Sequence, residues 1–133
     1  MKKGYHANIE KLTLENEDFR QVLYTAKNQQ LVLMSLKPME EIGWETHTEN
    51  DQFFRFEKGQ GKVAINQTEY LVTDGDVVIV PAGSEHNVTN TSTDQPLKLY
   101  TLYTPPHHKD GIIRPTKEEA TIDAPEFDGK TTE

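Results

Sequence analysis

Residues 75–90 read GDVVIVPAGSEHNVTN, and the reading of this stretch decides the fold. Asp74-Gly75 is a turn pair. Residues 76–80 form an apolar run too short for a helix, and Pro81 ends it because proline cannot donate to a strand ladder. Pro81-Ala82-Gly83-Ser84 reads as a loop, and residues 86–90 as the next strand, with His86 at its start. Gly75 and Gly83 serve turns with backbone angles that other residues adopt reluctantly. Asn90 reads as the brace of a turn.

The same punctuation continues outward in both directions. Strands are expected over residues 19–25, 30–37 (ended by Pro38), 43–47, 53–57 and 97–103. A Gly59-Gln60-Gly61 turn leads into a hairpin of residues 62–65 and 69–72 around Asn66-Gln67. Strands this short and regularly spaced imply an all-β sandwich or barrel rather than an α+β domain. Thr116-Lys-Glu-Glu119 has the form of a capping box, so residues 117–121 are expected to make one helical turn. Residues 1–18 are read as an N-terminal arm, 19–115 as the barrel and 116–133 as a C-terminal tail. The last residues, 123–133, are polar and expected to be loose.

Composition narrows the chemistry. A chain of 133 residues fits one domain with its own core. The formal net charge of −8 repels phosphate backbones and anionic membranes, so neither nucleic acid nor membrane is an expected partner. There is no cysteine, which removes disulfides and thiolate ligands and leaves His, Glu, Asp and Gln to hold any metal. No apolar stretch at the N-terminus has the form of a secretory signal, so a cytoplasmic location is expected. The sequons starting at Asn66, Asn87 and Asn90 are read as chance.

The chemistry concentrates in residues 43–53, GWETHTENDQF. Alternate strand residues share a face, so Glu45 and His47 point one way while Trp44 and Thr46 point the other. Gln52 opens the next strand and can face the same point, as can His86. Two imidazoles, a carboxylate and an amide oxygen suit a divalent ion such as Mn, Fe, Ni or Zn.

These residues resemble the cupins. Gly75, Pro81, Gly83, His86 and Asn90 stand at the spacings of the second cupin motif. The first motif, His-x-His followed by Glu and Gly, is matched by Glu45-x-His47, Gln52 and Gly59. Glu45 takes the place of the first His and Gln52 that of the Glu, so the site's charge is kept at a different position. An alternative alignment puts Glu49 in the ligand set but leaves two residues between Glu49 and Gln52, where the family has three or four, so Glu45 is preferred. The resemblance implies a double-stranded β-helix, or jelly-roll barrel, with a metal near one mouth and a short C-terminal helical turn. It also implies similarity to phosphomannose-isomerase-like enzymes and, more loosely, to dioxygenases.

Beyond the last strand, His107 and His108 are read either as a solvated loop or as a lid that lays a catalytic imidazole over the mouth. Phe54 and Phe56, in phase with Gln52, are expected to line a pocket. Tyr100, Tyr103, Trp44 and Met34 are further candidates. A phosphate clamp would have to come from Lys109 or Arg114, since Arg55 faces away. The expected function is therefore a metal-binding cupin acting on a small polar metabolite such as a sugar or oxoacid, as an isomerase or dioxygenase. The alternatives are a non-enzymatic binder or sensor and a structural cupin without metal. A homodimer is expected, with the strand at 19–25 pairing or swapping at a sheet edge.

Overall fold

The structure is a computed structural model that describes residues 1–133. Its strands are β1 (Arg20–Thr25), β2 (Gln30–Leu36), β3 (Glu45–Thr46), β4 (Asp51–Lys58), β5 (Gln60–Ile65), β6 (Thr68–Thr73), β7 (Val77–Val80), β8 (Glu85–Asn90), β9 (Leu97–Thr104) and β10 (Ile113–Arg114). Two short helices, α1 (Ile9–Glu15) and α2 (Lys117–Ile122), flank them. One sheet runs β10-β1-β2-β9-β4-β7 and the other β3-β8-β5-β6, both antiparallel. This is the jelly-roll barrel expected from the sequence, and no helix is long and apolar enough to cross a membrane.

Period-two alternation decides what lies between the sheets. On β4, Gln52, Phe54 and Phe56 turn inward while Phe53 and Arg55 turn out. Val32, Met34, Leu36, Leu97 and Leu99 complete the core from the same sheet, and Val63, Val72 and Val88 close it from the other. Phe54 and Phe56 are 1% and 0% exposed, so they are core rather than the pocket lining expected of them. Burying each stabilises the fold by roughly 2–3 kcal/mol.

The turn chemistry is as the sequence implies. Gly75 and Gly83 have φ of 88° and 86°, the left-handed region that suits glycine. Ile65 pairs with Thr68, leaving Asn66-Gln67 as a two-residue turn. Thr116 caps α2, its hydroxyl accepting from the Glu119 N–H at 3.1 Å.

The ends differ from expectation. The N-terminal arm contains α1, capped by Asn8, whose side chain accepts from the Lys11 N–H. The helix packs on β2, β4 and β9, and the Lys98 ammonium donates to the Asn16 carbonyl at 2.6 Å. The tail is tied down rather than loose. The Phe127 N–H donates to His107 O, the Lys109 N–H to Pro125 O and the Thr132 N–H to Thr25 O. The outer edge of β1 is thus covered by β10 and by Thr132, so the edge expected to receive a second copy is occupied within the chain. The strand expected over residues 43–47 is shorter, since β3 spans only Glu45–Thr46.

Asn90 is the brace the sequence indicated. It is fully buried, its amide nitrogen lies 3.2, 3.0 and 2.9 Å from the carbonyls of Leu36, Lys37 and Gln95, and its oxygen accepts from the Ser92 N–H. Truncation leaves several buried backbone groups unpaired. Asn90→Ala is expected to lower unfolding free energy in urea by about 2–4 kcal/mol. An unchanged transition midpoint would remove this role.

Candidate metal centre

Glu45 on β3 pairs directly with His86 on β8. Residues opposite each other in an antiparallel pair share a face, so both side chains point between the sheets. His47, two positions past Glu45, follows on the same side, and Trp44 lies exposed on the other. Glu45 Oε2 lies 3.1 Å from His47 Nε2. One ligand atom from each of Glu45, His47 and His86 falls within 4.8 Å of the other two. The His86 Nδ1–H donates to the Ser84 carbonyl at 3.0 Å. A carbonyl only accepts, so that bond fixes the tautomer and leaves the Nε2 lone pair free for a metal.

The opposite sheet supplies Gln52 and Tyr103, each 2% exposed. The Gln52 amide nitrogen donates to the Thr101 hydroxyl at 3.0 Å, while its Oε1 is buried without a partner. Such an acceptor costs about 1–3 kcal/mol if left unmade. Metal–donor bonds of about 2.0–2.2 Å place neighbouring donors roughly 3 Å apart. The Glu45–His47 separation already meets that spacing. One carboxylate, two imidazoles and an orphaned amide oxygen fit a divalent ion, with Glu45, His47 and His86 as its holders and Gln52 as the fourth candidate. Glu49 is exposed and outside this cluster, which decides against the alternative alignment.

The electrostatics keep these ligands ready. Burial pushes the Glu45 carboxyl up, but the hydrogen bond and charge of His47, with Arg20 and His86 behind them, outweigh it and leave its pKa below the ordinary value. Burial lowers the pKa of His86, the Ser84 hydrogen bond opposing it. Burial also raises the Tyr103 phenol, which stays protonated.

His107 and His108 do lie at this mouth. Gln30, fully buried on β2, holds their backbone: its Nε2 donates to His108 O at 2.7 Å, and its Oε1 accepts from the N–H groups of His107 and His108. The Asn50 amide donates to the carbonyls of Pro105 and Pro106 just before them. The His107 ring sits 4.3 Å from the His47 ring, and His108 Nε2 is 3.3 Å from the Tyr103 hydroxyl. Burial, reinforced by the nearby His47, pushes His107 down to about 4. Burial, reinforced by Arg20, pushes His108 down to about 2. Both imidazoles are therefore neutral at pH 7, not the groups titrating near neutrality that a lid histidine was expected to provide.

Two hollows open on the cluster. One, of about 350 Å³, is walled by Arg20, Glu45, His107, His108, Lys117 and Glu126. The other, of about 400 Å³, reaches His47 beside Glu49 and Asn50. His107 and Glu126 stand in both walls. Arg20, 6% exposed, was not anticipated; its only sequence signal is a charged residue in phase with Val22 on an alternating strand. The cations that were anticipated are elsewhere. Arg114 pairs with Asp123 at 2.9 Å, Lys109 is exposed, and Arg55 lies 2.9 Å from Glu57.

Comparison with known proteins agrees with this geometry. A protein-family model described as Cupin domain matches residues 32–103. The chain is 43% identical over 124 residues to the protein YrkC of Bacillus subtilis (strain 168), covering 89% of this chain and 66% of that one. It is also 43% identical over 112 residues to protein L612 of Acanthamoeba polyphaga mimivirus, covering 82% of this chain and 70% of that one. The crystal structure of BH2720 from Bacillus halodurans superposes with a TM-score of 0.89 at 38% identity, covering 91% of this chain and 96% of that one. With the barrel, the Glu45/His47/His86 cluster and these relatives in view, the chain belongs to the cupin family.

Proposed function

We propose that this cupin binds one divalent metal ion through Glu45, His47 and His86, with Gln52 beside them, and acts there on a small oxygen-rich metabolite of the oxoacid kind. The observation that carries the reading is the convergence of three ligand atoms within 4.8 Å, with Glu45 in the wall of one hollow and His47 in the wall of the other. A divalent ion in that position would supply Lewis acidity toward a coordinated oxygen. The chain itself would orient the substrate, exclude water with the His107–His108 segment, and keep Tyr103 as a neutral hydrogen-bond donor. A sugar phosphate is the less favoured substrate, because Lys109 is exposed, Arg55 lies beside Glu57 on the outer face, and Arg114, opposite Arg20 across β1 and β10, is already paired with Asp123. A cytoplasmic location belongs to the same reading.

A second reading, a binder or sensor without turnover, is favoured by the neutrality of His107 and His108, which removes both lid histidines as groups titrating near pH 7. The two readings share the metal site and part on whether product forms. A cupin that has lost its metal is the third alternative, and the ligand cluster argues against it.

We also propose a homodimer, now through the outer face of the six-stranded sheet. Phe53 and Tyr100 lie there with ring centres 6.4 Å apart, next to Val77 and Ile79, which are 46% and 60% exposed. Equilibrium sedimentation is expected to show a dimer that Ile79→Glu converts to monomer. A wild-type mass of 15.2 kDa would remove the proposal.

Elemental analysis of protein purified without a metal-affinity tag tests the site itself. Wild type is expected to hold about one metal per chain, and His47→Ala and His86→Ala to lose it. Gln52→Ala should weaken affinity by about 10-fold, the scale of a lost partner around a metal site. Stoichiometric metal in either His variant rejects the centre.

The pH dependence of stability follows from His108. Its folded-state pKa of about 2 lies far below the ordinary 6.5, so unfolded chains take up a proton that folded ones refuse. Stability is full above pH 6.5 and falls as the pH drops below it, by about 1 kcal/mol per pH unit from this residue. His107, pushed down to about 4, adds a contribution of the same sign, so urea unfolding of the EDTA-treated chain between pH 7 and 5 should show a slope that His108→Asn reduces without abolishing. A slope unchanged by the substitution contradicts the assignment.

A further inference from the structure

Arg20 is a buried cation that the fold does not pair. Its side chain is 6% exposed and enters no hydrogen bond, and its Nε is enclosed without a partner. None of the ion pairs within the chain includes it. The neighbouring Phe19 ring, 5.4 Å from its central carbon, faces the charge but uses none of its five N–H donors. A guanidinium keeps its proton under all ordinary conditions, so it cannot relieve burial by becoming neutral. The fold nevertheless places it in the wall of the hollow that also exposes Glu45, His107 and His108. Elsewhere the chain pairs its buried polar groups closely: Gln30 uses both amide atoms, and Lys98 donates to Asn16. The Arg20 charge reaches Glu45, whose pKa it helps to lower, but no hydrogen bond joins the two, which leaves the guanidinium donors for a partner that arrives with the substrate.

We infer that Arg20 binds the carboxylate of a small organic acid whose remaining oxygens face Glu45, His47 and His86. The inference rests on the metal reading of the same site and narrows its substrate to a carboxylic acid. A planar carboxylate matches the guanidinium fork with two parallel hydrogen bonds. A hollow of about 350 Å³ admits an acid of a few carbons rather than a polymer. Phosphate suits the site less well. Glu45 and Glu126 share the wall, and Lys117 is the only second cation there, so a dianion would meet two carboxylates for two cations. A divalent ion held by one carboxylate and neutral groups leaves a net positive centre, which further favours a monoanion alongside Arg20.

The test uses the full chain, wild type beside Arg20→Met and Arg20→Lys. Pyruvate and glycolate, both monoanions, are the carboxylate probes, pyruvamide the uncharged control and inorganic phosphate the competing anion. Metal content, calorimetric dissociation constants and the ligand-free thermal midpoint are read together. Arg20→Met is expected to keep its metal and to melt at or above the wild-type midpoint, because an unpaired charge has been removed. It should lose about 100-fold in carboxylate affinity while pyruvamide binding stays unchanged. Arg20→Lys, which keeps the charge without the fork, should recover part of that loss. A structural arginine behaves oppositely, with a lowered midpoint and unaltered carboxylate affinity, and that result overturns the inference. Metal-loaded wild type that ignores both carboxylates, or binds phosphate more tightly, overturns it too. If wild type takes up no metal, the metal reading fails by itself. The role of Arg20 is then decided in EDTA: a carboxylate-induced rise in midpoint that Arg20→Met abolishes supports it, and no rise refutes it.

Discussion

Glu45 stands across from His86 in the short β3–β8 pairing, and the geometry of the mouth follows from that register. A slip of one residue would turn Trp44 and Thr46 inward and send Glu45 and His47 to solvent, because strand side chains alternate faces. The pairing spans only two residues, so it needs outside support. Gly43 N–H donates to the Asn87 side chain at 2.9 Å, and Gly83 N–H donates to His47 O. These bonds fix β3 at both ends while leaving the ligand side chains facing the interior.

The barrel interior is graded along its axis. Leu97, Leu99, Phe56 and Val88 fill the deeper part, each at or near zero exposure. Toward the mouth the inward positions become Thr101, Tyr103, Gln52 and His86 on the same strands. The apolar end carries the stability. The polar end spends some of it, since each buried group there must find a partner. The contrast between two glutamines is informative. Gln30 satisfies both ends of its amide by holding the His107–His108 backbone, whereas Gln52 has one bond and an idle oxygen. Idle buried polar atoms concentrate where the ligand cluster and the hollow meet, and Arg20 is the most costly of them. A buried charge without a hydrogen-bond partner costs about a few kcal/mol in a fold whose whole stability is about 5–15 kcal/mol.

The C-terminal region takes part in the site as much as the barrel does. Residues after β9 return across the mouth, and the tail hydrogen-bonds back to them through Pro125 and Phe127. Glu126 and α2 thereby form walls of the hollow. Burial under this cover is what drives the pKa values of His107 and His108 down. It turns two histidines that look titratable in sequence into neutral imidazoles, that of His108 beside the Tyr103 hydroxyl.

Residues 75–90 and 43–53 made the barrel, its turns and the three candidate metal ligands legible, because glycine angles, proline stops and strand alternation are local properties of the chain. Asn90 and the α2 cap were readable for the same reason. Other features depend on which strands become neighbours. Arg20 lies 25 residues before Glu45 in sequence and meets its hollow only after β1 takes its place between β10 and β2. Phe54 and Phe56 shared the phase of Gln52, but depth along the axis, which alternation does not encode, made them core. The hold of Gln30 on His107 and His108 spans more than seventy residues. Local sequence thus determined the strands, the turns and which side chains turn inward. Tertiary packing alone decided how deeply each is buried and which buried polar group is left without a partner, because desolvation and pairing are set by neighbours far away along the chain.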